Sequence, residues 1–493
     1  MATTSHYYSI GSKGVRRSQA RRLPLRETIV CALLVLSVSL GNLTNLSGVT
    51  PLQRELVLVV LLVGAILALP GGGLRTTGRR ATAVCAFVGC AVVSYLRFAV
   101  APIAPFSGRV MTGVALMVII VTAFSLCALL APADAVTRRR RLLCALFSPV
   151  CFAALNLALY VVGFHFTAVR SERSEITLKP GPAQLLGLIG IHTTRANLPL
   201  SPGLNGAGEA AALALVICAV LAYRSQGRLR WVSLLGAVVG FTSVLLTDSR
   251  GPLAYALLAL IMLALLPRAA KRVVAVVPLL LPIWPAIILF VAGHLGSLSE
   301  SLSRNPGRGS FETATGRSTI WSIVARFLSH THAEDLIGYG AYGQVRSGVG
   351  YQYAYLFNYT THPEFNSVHN IALQTILDMG YIGLALFLLF LMVGINSARV
   401  SYEKAGAPES AALLVALIAL SLFGASEALP GLAGIYLLIS LIVLTCAAIR
   451  VSASDRLTQT LMDTVTAPHL PADAPPMSAT PQTLARLTGS ASG

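Results

Sequence analysis

Residues 366–397 read NSVHNIALQTILDMGYIGLALFLLFLMVGINS, and this stretch decides the class of fold. Apolar side chains dominate from Ile371 to Ile395, which exceeds the roughly 20 residues that an α-helix needs to cross a bilayer. His369 and Asn370 stand directly before this run. Polar groups are costly at the edge of a membrane, so this pair needs an explanation from helix capping or from function.

The composition identifies an integral membrane protein. Of the 493 residues, 55% are hydrophobic and 11% are charged, whereas soluble domains carry about 25% charged residues. The net charge of +18 fits the excess of Lys and Arg in the cytoplasmic loops of membrane proteins better than it fits a nucleic-acid partner. The basic segment up to Arg26 is too long for the start of a cleavable signal peptide.

Apolar runs recur along residues 27–450 and predict a transmembrane domain of about 12 helices. The candidate spans are 27–46, 54–70, 81–101, 109–131, 142–164, 206–223, 230–247, 251–267, 273–294, 370–397, 408–426 and 430–450. The short loops on one side hold fifteen Lys and Arg residues, and those on the other side hold four. Both termini are therefore predicted to be cytoplasmic. Residues 1–26 form a basic tail, and residues 451–493, rich in Pro, Ala, Ser and Thr, are predicted to be a disordered cytoplasmic tail.

Two long loops, residues 165–205 and 295–369, face outward in this topology, and loops of that length commonly carry function. All eight cysteines lie in apolar runs, so we expect neither a disulfide framework nor a cysteine metal site. The pattern His330, His332 and Asp335 is a weak metal signal, and we predict no metal site. The sequence contains no GxxxxGK[ST] stretch, which argues against ATP hydrolysis.

Arginines stand at several outward helix ends. Arg250 and Asp248 lie in the linker TDSRGP, residues 247–252, which is too short to leave the membrane surface. Arg250 either pairs with Asp248 and snorkels, or presents a fixed cation to a phosphate, which a guanidinium binds through two hydrogen bonds. Arg195 precedes a turn rich in Pro and Gly. It is either a solvated loop charge or a further cation for a phosphate. Asn205, at the start of the next span, is a candidate helix cap.

The large outward loop contains a predicted amphipathic helix at residues 315–328. Apolar residues recur there at helical spacing around Trp321, and we expect the helix to lie on the outer leaflet. Arg317 stands at its start. Periodicity alone assigns no role to that arginine.

At the end of the same loop, Asn366 or Ser367 is expected to cap a helix that begins near His369. A histidine at this place is either a capping or hydrogen-bonded loop residue, or a proton acceptor. Gly380 and Gly383, farther along the helix, permit a kink or the close approach of another helix.

The spacing of these residues resembles a motif of the O-antigen ligase and polymerase superfamily. In that motif His is followed by Asn, Ser or Gln, then by nine residues, Gly, two residues and Gly, Thr or Tyr. Here His369 and Asn370 are followed by nine residues, Gly380, two residues and Gly383. The family also carries Ser-Arg-Gly at an outer span end, similar to Ser249 through Gly251.

Three further stretches are similar to this family. They are Gly316-Arg317 with the downstream Trp321, the Gly-Tyr-Gly at 338–340, and the turn from Arg195 through Asn205. The resemblance is detailed over residues 190–400. It implies an all-α polytopic membrane fold, like that of C-type glycosyltransferases, with a large extracytoplasmic loop.

The resemblance implies a glycosyltransferase of a bacterial cytoplasmic (inner) membrane, with its active site on the extracytoplasmic face. The donor would be a glycan on undecaprenyl diphosphate, and the acceptor a hydroxyl on a glycan, lipid or protein. No nucleotide sugar, ATP, metal or other cofactor is implied. His369 would be the catalytic base or would only position the acceptor. Arg195, Arg250 and Arg317 would bind the diphosphate, supported by Asn205, Asn370, Gly380 and Gly383.

Other functions remain open at this point. A polysaccharide polymerase of the same superfamily would use the same donor and a second lipid-linked glycan as acceptor. A ligase that glycosylates proteins is a further version. A lipid or solute transporter is the rival from another class, although transporters place polar residues near the bilayer midplane, whereas the candidates here cluster at one face.

Overall fold

The structure is a computed structural model of the chain. It describes residues 24–43, 51–69, 79–103, 108–131, 133–164, 170–171, 174–175, 183–187, 190–200, 204–265, 277–287, 317–357, 362–426 and 435–466. The predicted basic tail at 1–26 lies almost wholly outside these residues. So do half of the predicted span at 273–294, the first part of the large loop and residues 467–493 of the predicted C-terminal tail. Residues 451–466 of that tail are helical.

The described residues are almost entirely helical. The α-helices are α1 (Leu25–Leu43), α2 (Pro51–Ala68), α3 (Arg79–Val100), α4 (Gly108–Leu130), α5 (Ala135–Val161), α6 (Gln184–Gly187), α7 (Leu204–Arg224), α8 (Gly227–Thr247), α9 (Arg250–Leu265), α10 (Arg317–Ser329), α11 (Gly343–Arg346), α12 (Val349–Tyr353), α13 (Ile371–Ala405), α14 (Pro408–Phe423) and α15 (Ile435–Thr466). Short 3-10 helices occupy Val277–Leu280, Ala333–Leu336, Ala354–Phe357 and Pro363–Phe365. Strands β1 (Arg170–Ser171) and β2 (Ser174–Glu175) form an antiparallel pair.

Seven helices in the described part of the chain are long and apolar enough to cross a membrane. They are α1, α3, α4, α5, α7, α8 and α13. Shorter apolar helices fall at Glu55–Ala68, Arg250–Leu265, Pro408–Phe423 and Leu437–Val451. The all-α membrane fold is therefore confirmed, and the total of twelve spans stays a prediction.

One end of the bundle is built from pairs of arginine and glutamate, and we call it the Glu27 end. Arg141 donates to both carboxylate oxygens of Glu27, at 2.9 and 2.6 Å. Arg139 donates to Glu409 at 2.6 Å, and Arg224 donates to the Tyr402 hydroxyl at 2.9 Å. Helices α1, α5 and α14 therefore begin at this end, whereas α7 and α13 finish there.

The opposite end is where α13 begins and α14 finishes, and we call it the His369 end. The Ile371 N–H donates to the Gly424 carbonyl at 2.7 Å, directly after α14. The Ser94 hydroxyl, near the end of α3, donates to the Asp378 carbonyl at 3.1 Å. Helix α8 runs back from the Glu27 end after α7, so it finishes at the His369 end and α9 begins there with Arg250.

Helix α13 is bent near its start. Gly380 has non-helical angles, φ 73° and ψ −175°, within an otherwise continuous helix of 35 residues. At about 1.5 Å per residue that helix is far longer than the roughly 30 Å hydrocarbon core. The bend separates the short first segment, 371–379, from the long span that follows. That first segment carries the polar residues of the stretch quoted above.

Candidate active site

His369 adopts a left-handed backbone conformation, with φ 50°. Such angles are uncommon for any residue that has a Cβ atom and occur where the surroundings enforce them. The imidazole is partly buried, and its ring centre lies 6.2 Å from that of Phe357. His369 directly precedes the capping residue of α13, so it stands at the mouth of the helix rather than inside it.

The cap of α13 is Asn370, so the expectation that Asn366 or Ser367 caps this helix was wrong. The Asn370 side chain accepts hydrogen bonds from the Ala372 and Leu373 N–H groups, both at 3.0 Å. Its amide donates to the Ala425 carbonyl at 3.0 Å. Asn370 occupies the N-cap position because it is the last extended residue before the helix, with φ −152°. It therefore anchors α13 to the end of α14 beside His369.

Hydrogen bonds from several elements hold the backbone just before His369. The Trp321 indole N–H donates to the Val368 carbonyl at 2.9 Å. The Val368 N–H donates to the Gln374 side-chain oxygen at 3.1 Å. The Tyr353 hydroxyl donates to the Asn366 carbonyl at 2.8 Å. The left-handed turn at His369 is thus fixed from α10, α12 and α13.

Trp321 also ties the predicted amphipathic helix to this segment. The structure has a helix at Arg317–Ser329, and its apolar side chains Ile320, Trp321 and Val324 are buried. Ile320 and Val324 pack with Tyr353 and Val368, and the Trp321 indole donates to the Val368 carbonyl. Protein rather than a lipid leaflet therefore covers this face, which corrects the expected location. Apolar residues of α12 and α13 cover the apolar face of α10, so that face is not exposed to lipid. Arg317, partly buried at the first residue of α10, lies one turn from Trp321.

The bend at Gly380 interlocks with the Gly-Tyr-Gly stretch. A Cβ atom at Gly380 would overlap the Leu336 carbonyl oxygen, and one at Gly338 would overlap the backbone at Met379. The bend frees two helical carbonyls, and the Tyr339 and Gly340 N–H groups donate to them, at Leu377 (2.8 Å) and Asp378 (3.0 Å). These glycines position the loop against α13. Burial and Asp335 raise the pKa of Tyr339 above its usual value.

Arg250 begins α9 and pairs with Asp248. Its guanidinium nitrogens lie 3.3 and 3.4 Å from the Asp248 carboxylate oxygens. The Asp248 side chain is 1% exposed, and that of Arg250 is 24% exposed. Asp248 has φ 50° and also accepts the Leu185 N–H at 3.0 Å. The buried carboxylate orients a guanidinium that still reaches the surface. The expected pairing with Asp248 is therefore observed, and phosphate binding by Arg250 stays a prediction.

Arg195 lies at the same corner. Its Nε donates to the Thr247 carbonyl at 2.9 Å, and the next residue, Ala196, donates to the Leu246 carbonyl at 2.8 Å. Both acceptors belong to the last turn of α8, directly before Asp248 and Arg250. The loop that precedes α7 therefore brings Arg195 to the end of α8, three residues before Arg250 and more than fifty residues away in sequence.

The structure thus places His369, Arg195 and Arg250 at one end of the bundle, with Arg317 linked to His369 through Trp321. Asn205 is the second residue of α7, and its side chain lies outside the described residues. Gly383 lies in the regular part of α13, where an added Cβ atom would overlap that of Met379.

Sequence reasoning missed two sets of residues. Gln374 and Gln344 are buried polar residues near His369. The available signal for Gln374 was an amide inside an apolar run, and the sequence around Gln344 offers no such signal. Arg97 and Arg346 were also overlooked. Arg346 donates to the Arg97 carbonyl at 2.9 Å, and Arg97 donates to the Gly338 carbonyl at 2.5 Å. Burial and the charge of Arg97 lower the pKa of Arg346.

Within the described part of the chain, no group of three or more His, Cys, Asp or Glu residues is arranged to hold a metal ion. Asp335, from the weak metal signal, is buried and accepts the Tyr339 hydroxyl and the His332 N–H, at 3.0 and 2.9 Å. That carboxylate holds the turn that leads to Gly338.

Comparison with known families gives a match to part of the chain. Residues 235–388 match the family model described as O-Antigen ligase. The matched interval begins in α8, passes the bend at Gly380 and includes Arg250, Arg317 and His369. No curated protein matches the chain. Residues 235–388 of this membrane protein are therefore similar to the O-antigen ligase family.

Proposed function

We propose that this protein is a glycosyltransferase of the bacterial cytoplasmic membrane. It moves a glycan from undecaprenyl diphosphate to an acceptor hydroxyl at the extracytoplasmic face. The observation that carries the proposal is the placement of His369 and of the Arg195–Arg250 corner at the same end of the bundle. A diphosphate needs cations, and an incoming alcohol needs a proton acceptor, so the two requirements meet at one end.

His369 is the general base in this proposal. Its imidazole nitrogen takes the proton of the acceptor hydroxyl while the hydroxyl oxygen bonds to the anomeric carbon. General base catalysis of this kind typically contributes about 10²–10⁴-fold to the rate. The left-handed turn, held through Val368 and Asn370, keeps the ring in one place and limits the entropy lost on the way to the transition state.

The arginines serve the leaving group. As the bond from the anomeric carbon to the diphosphate oxygen breaks, the electron pair goes to that oxygen and negative charge builds there. Arg195 and Arg250 supply cations that are already oriented by Thr247 and Asp248, so they stabilise this charge without reorganisation. Arg317 is assigned to the same diphosphate. Attack opposite the leaving group inverts the anomeric configuration.

The test compares envelope glycans of cells that lack this protein with those of complemented cells. Loss of a ligase leaves long polymer on the carrier lipid and none on the acceptor. Complementation with wild-type protein restores transfer, His369→Ala does not, and His330→Ala does. His330 is the matched control because it is an exposed histidine just after α10.

Two outcomes would contradict the proposal. Single repeat units attached to the acceptor would identify a polymerase instead of a ligase. Full restoration by a well-accumulated His369→Ala variant would remove the histidine from the mechanism. A His369→Asn variant with substantial activity would assign His369 to acceptor positioning, since an amide cannot take the proton.

A further inference from the structure

A buried chain of amides and a carboxylate lies directly behind His369. Gln374 and Asp378 in α13 and Gln344 in α11 are each 1% exposed. Burying three such groups is costly unless they satisfy one another. Their arrangement therefore needs a reason beyond packing.

The hydrogen-bond donors and acceptors allow one orientation of the Gln374 amide. The Val368 N–H can only donate, so the Gln374 atom facing it at 3.1 Å is the oxygen. The Gln374 nitrogen then faces two acceptors, Gln344 Oε1 at 2.7 Å and Asp378 Oδ1 at 2.9 Å. Both of its N–H groups are used, and the amide is locked.

The two partners of Gln374 are themselves fixed. Asp378 Oδ1 also accepts the Gly343 N–H at 2.7 Å. The Gln344 amide donates to the Phe365 carbonyl at 3.2 Å. The network thus spans α11, the segment before His369 and the first two turns of α13. None of these groups reaches the surface, so none is placed to touch substrate.

We propose that Gln374 is a positioning residue for His369, acting through the Val368 N–H, with Asp378 and Gln344 fixing the orientation of its amide. Val368 is held on its other side by Trp321, so the residue before His369 is gripped at both its N–H and its carbonyl. This inference rests on the proposed role of His369 as the base.

The test uses Gln374→Met, which keeps the length and unbranched shape of the side chain but removes the amide. We expect kcat for glycan transfer to fall by about 10- to 100-fold, since small misplacements of a reacting group have effects of this size. The KM for the lipid-linked donor should stay within about twofold, because the arginines are untouched. Thr375→Val is the matched control: Thr375 is equally buried on the same turn, but its hydroxyl donates to the Ile371 carbonyl of its own helix.

A second readout does not depend on activity. In full-length protein with labelled histidine, the His369 imidazole resonance is assigned by its absence from His369→Ala. It should shift or broaden in Gln374→Met and remain in place in Thr375→Val. If Gln374→Met does not accumulate, Trp321→Phe carries the test, since it removes the other hydrogen bond to Val368 and should affect the same signal.

The possible outcomes distinguish the positioning role of Gln374 from the proposed glycan transfer. An unchanged kcat and an unchanged His369 resonance in Gln374→Met would overturn the positioning role and leave the proposed function intact. A shifted resonance, in a protein whose wild type transfers no glycan, would uphold the positioning role and overturn the function. An equal loss in Thr375→Val would show that the effect is general destabilisation, and the inference would fail.

Discussion

The two ends of the bundle hold their arginines in different ways. At the Glu27 end, Arg139, Arg141 and Arg399 each pair with a glutamate at 2.5–2.9 Å. At the His369 end, Arg97 and Arg346 donate to backbone carbonyls, and Arg250 pairs with Asp248 at the longer distances of 3.3 and 3.4 Å. A close carboxylate offsets much of a guanidinium's charge, whereas a carbonyl orients the guanidinium and leaves its charge in place. The Arg139 and Arg141 pairs join helices at the first end, whereas the arginine contacts at the second end orient guanidinium groups beside the candidate site.

The largest effect on stability is expected at the Glu27 end. Arg141 and Glu27 have side chains that are 11% and 10% exposed. Arg141→Met would leave a buried carboxylate without its cation and should lower the free energy of unfolding by about 3–5 kcal/mol. Denaturation of wild-type protein and of Arg141→Met in detergent measures this difference in the free energy of unfolding.

The double variant Arg141→Met with Glu27→Met is the control, because it removes both charges. It should recover most of the lost stability, and transfer per folded molecule should be unchanged in either variant. A double variant as unstable as the single one would show that the pair does not act through its charges.

At the His369 end, Arg250→Ala should lower kcat for transfer by about 10²–10³-fold, which is the usual effect of removing one oriented donor from a transition state. Arg250→Lys should recover part of this loss, since lysine keeps the charge and lacks the planar fork. Arg399→Ala is the control, because Arg399 pairs with Glu403 in the last turns of α13, at the Glu27 end. Equal activity losses in the Arg250 and Arg399 variants would erase the distinction between the two ends.

A smaller effect is expected at the bend of α13. Gly380→Ala places a Cβ atom at φ 73° and against the Leu336 carbonyl, and strain and overlap each cost roughly 1–3 kcal/mol. Because of this strain and overlap, we expect the free energy of unfolding to fall by about 2–3 kcal/mol in Gly380→Ala. Gly89→Ala in α3 has open space around its Cβ and should be neutral or slightly stabilising. Equal stability of the two variants would argue against the interlock between Gly338 and Gly380.

The sequence predicted the helices well because a bilayer leaves few alternatives. Long apolar runs cannot satisfy their backbone in lipid except as helices, so the ends of α4 and α8 fall within a few residues of their predicted bounds. The structure brings Arg195, Arg250 and the His-Asn pair to one end of the bundle, and their role as a site stays a prediction.

The local geometry of the site could not be read in the same way. Asn366, Ser367 and Asn370 are all good caps, and the choice among them depends on the end of α14, which lies about fifty residues away. The partners of Arg195 and the hydrogen bonds of Gln374 likewise join segments that are distant in sequence. The amphipathic period of α10 was correctly read, but a period does not say whether protein or lipid covers the apolar face.

The most direct measurement of the central claim is glycan transfer by purified protein reconstituted in vesicles with a defined undecaprenyl-diphosphate-linked glycan and an acceptor glycolipid. We expect transfer by wild-type protein, with release of undecaprenyl diphosphate in equal amount. In folded His369→Ala we expect a loss of about 10²–10⁴-fold in the transfer rate. Transfer by His369→Ala at the wild-type rate, or donor movement across the vesicle without any new glycosidic bond, would contradict it.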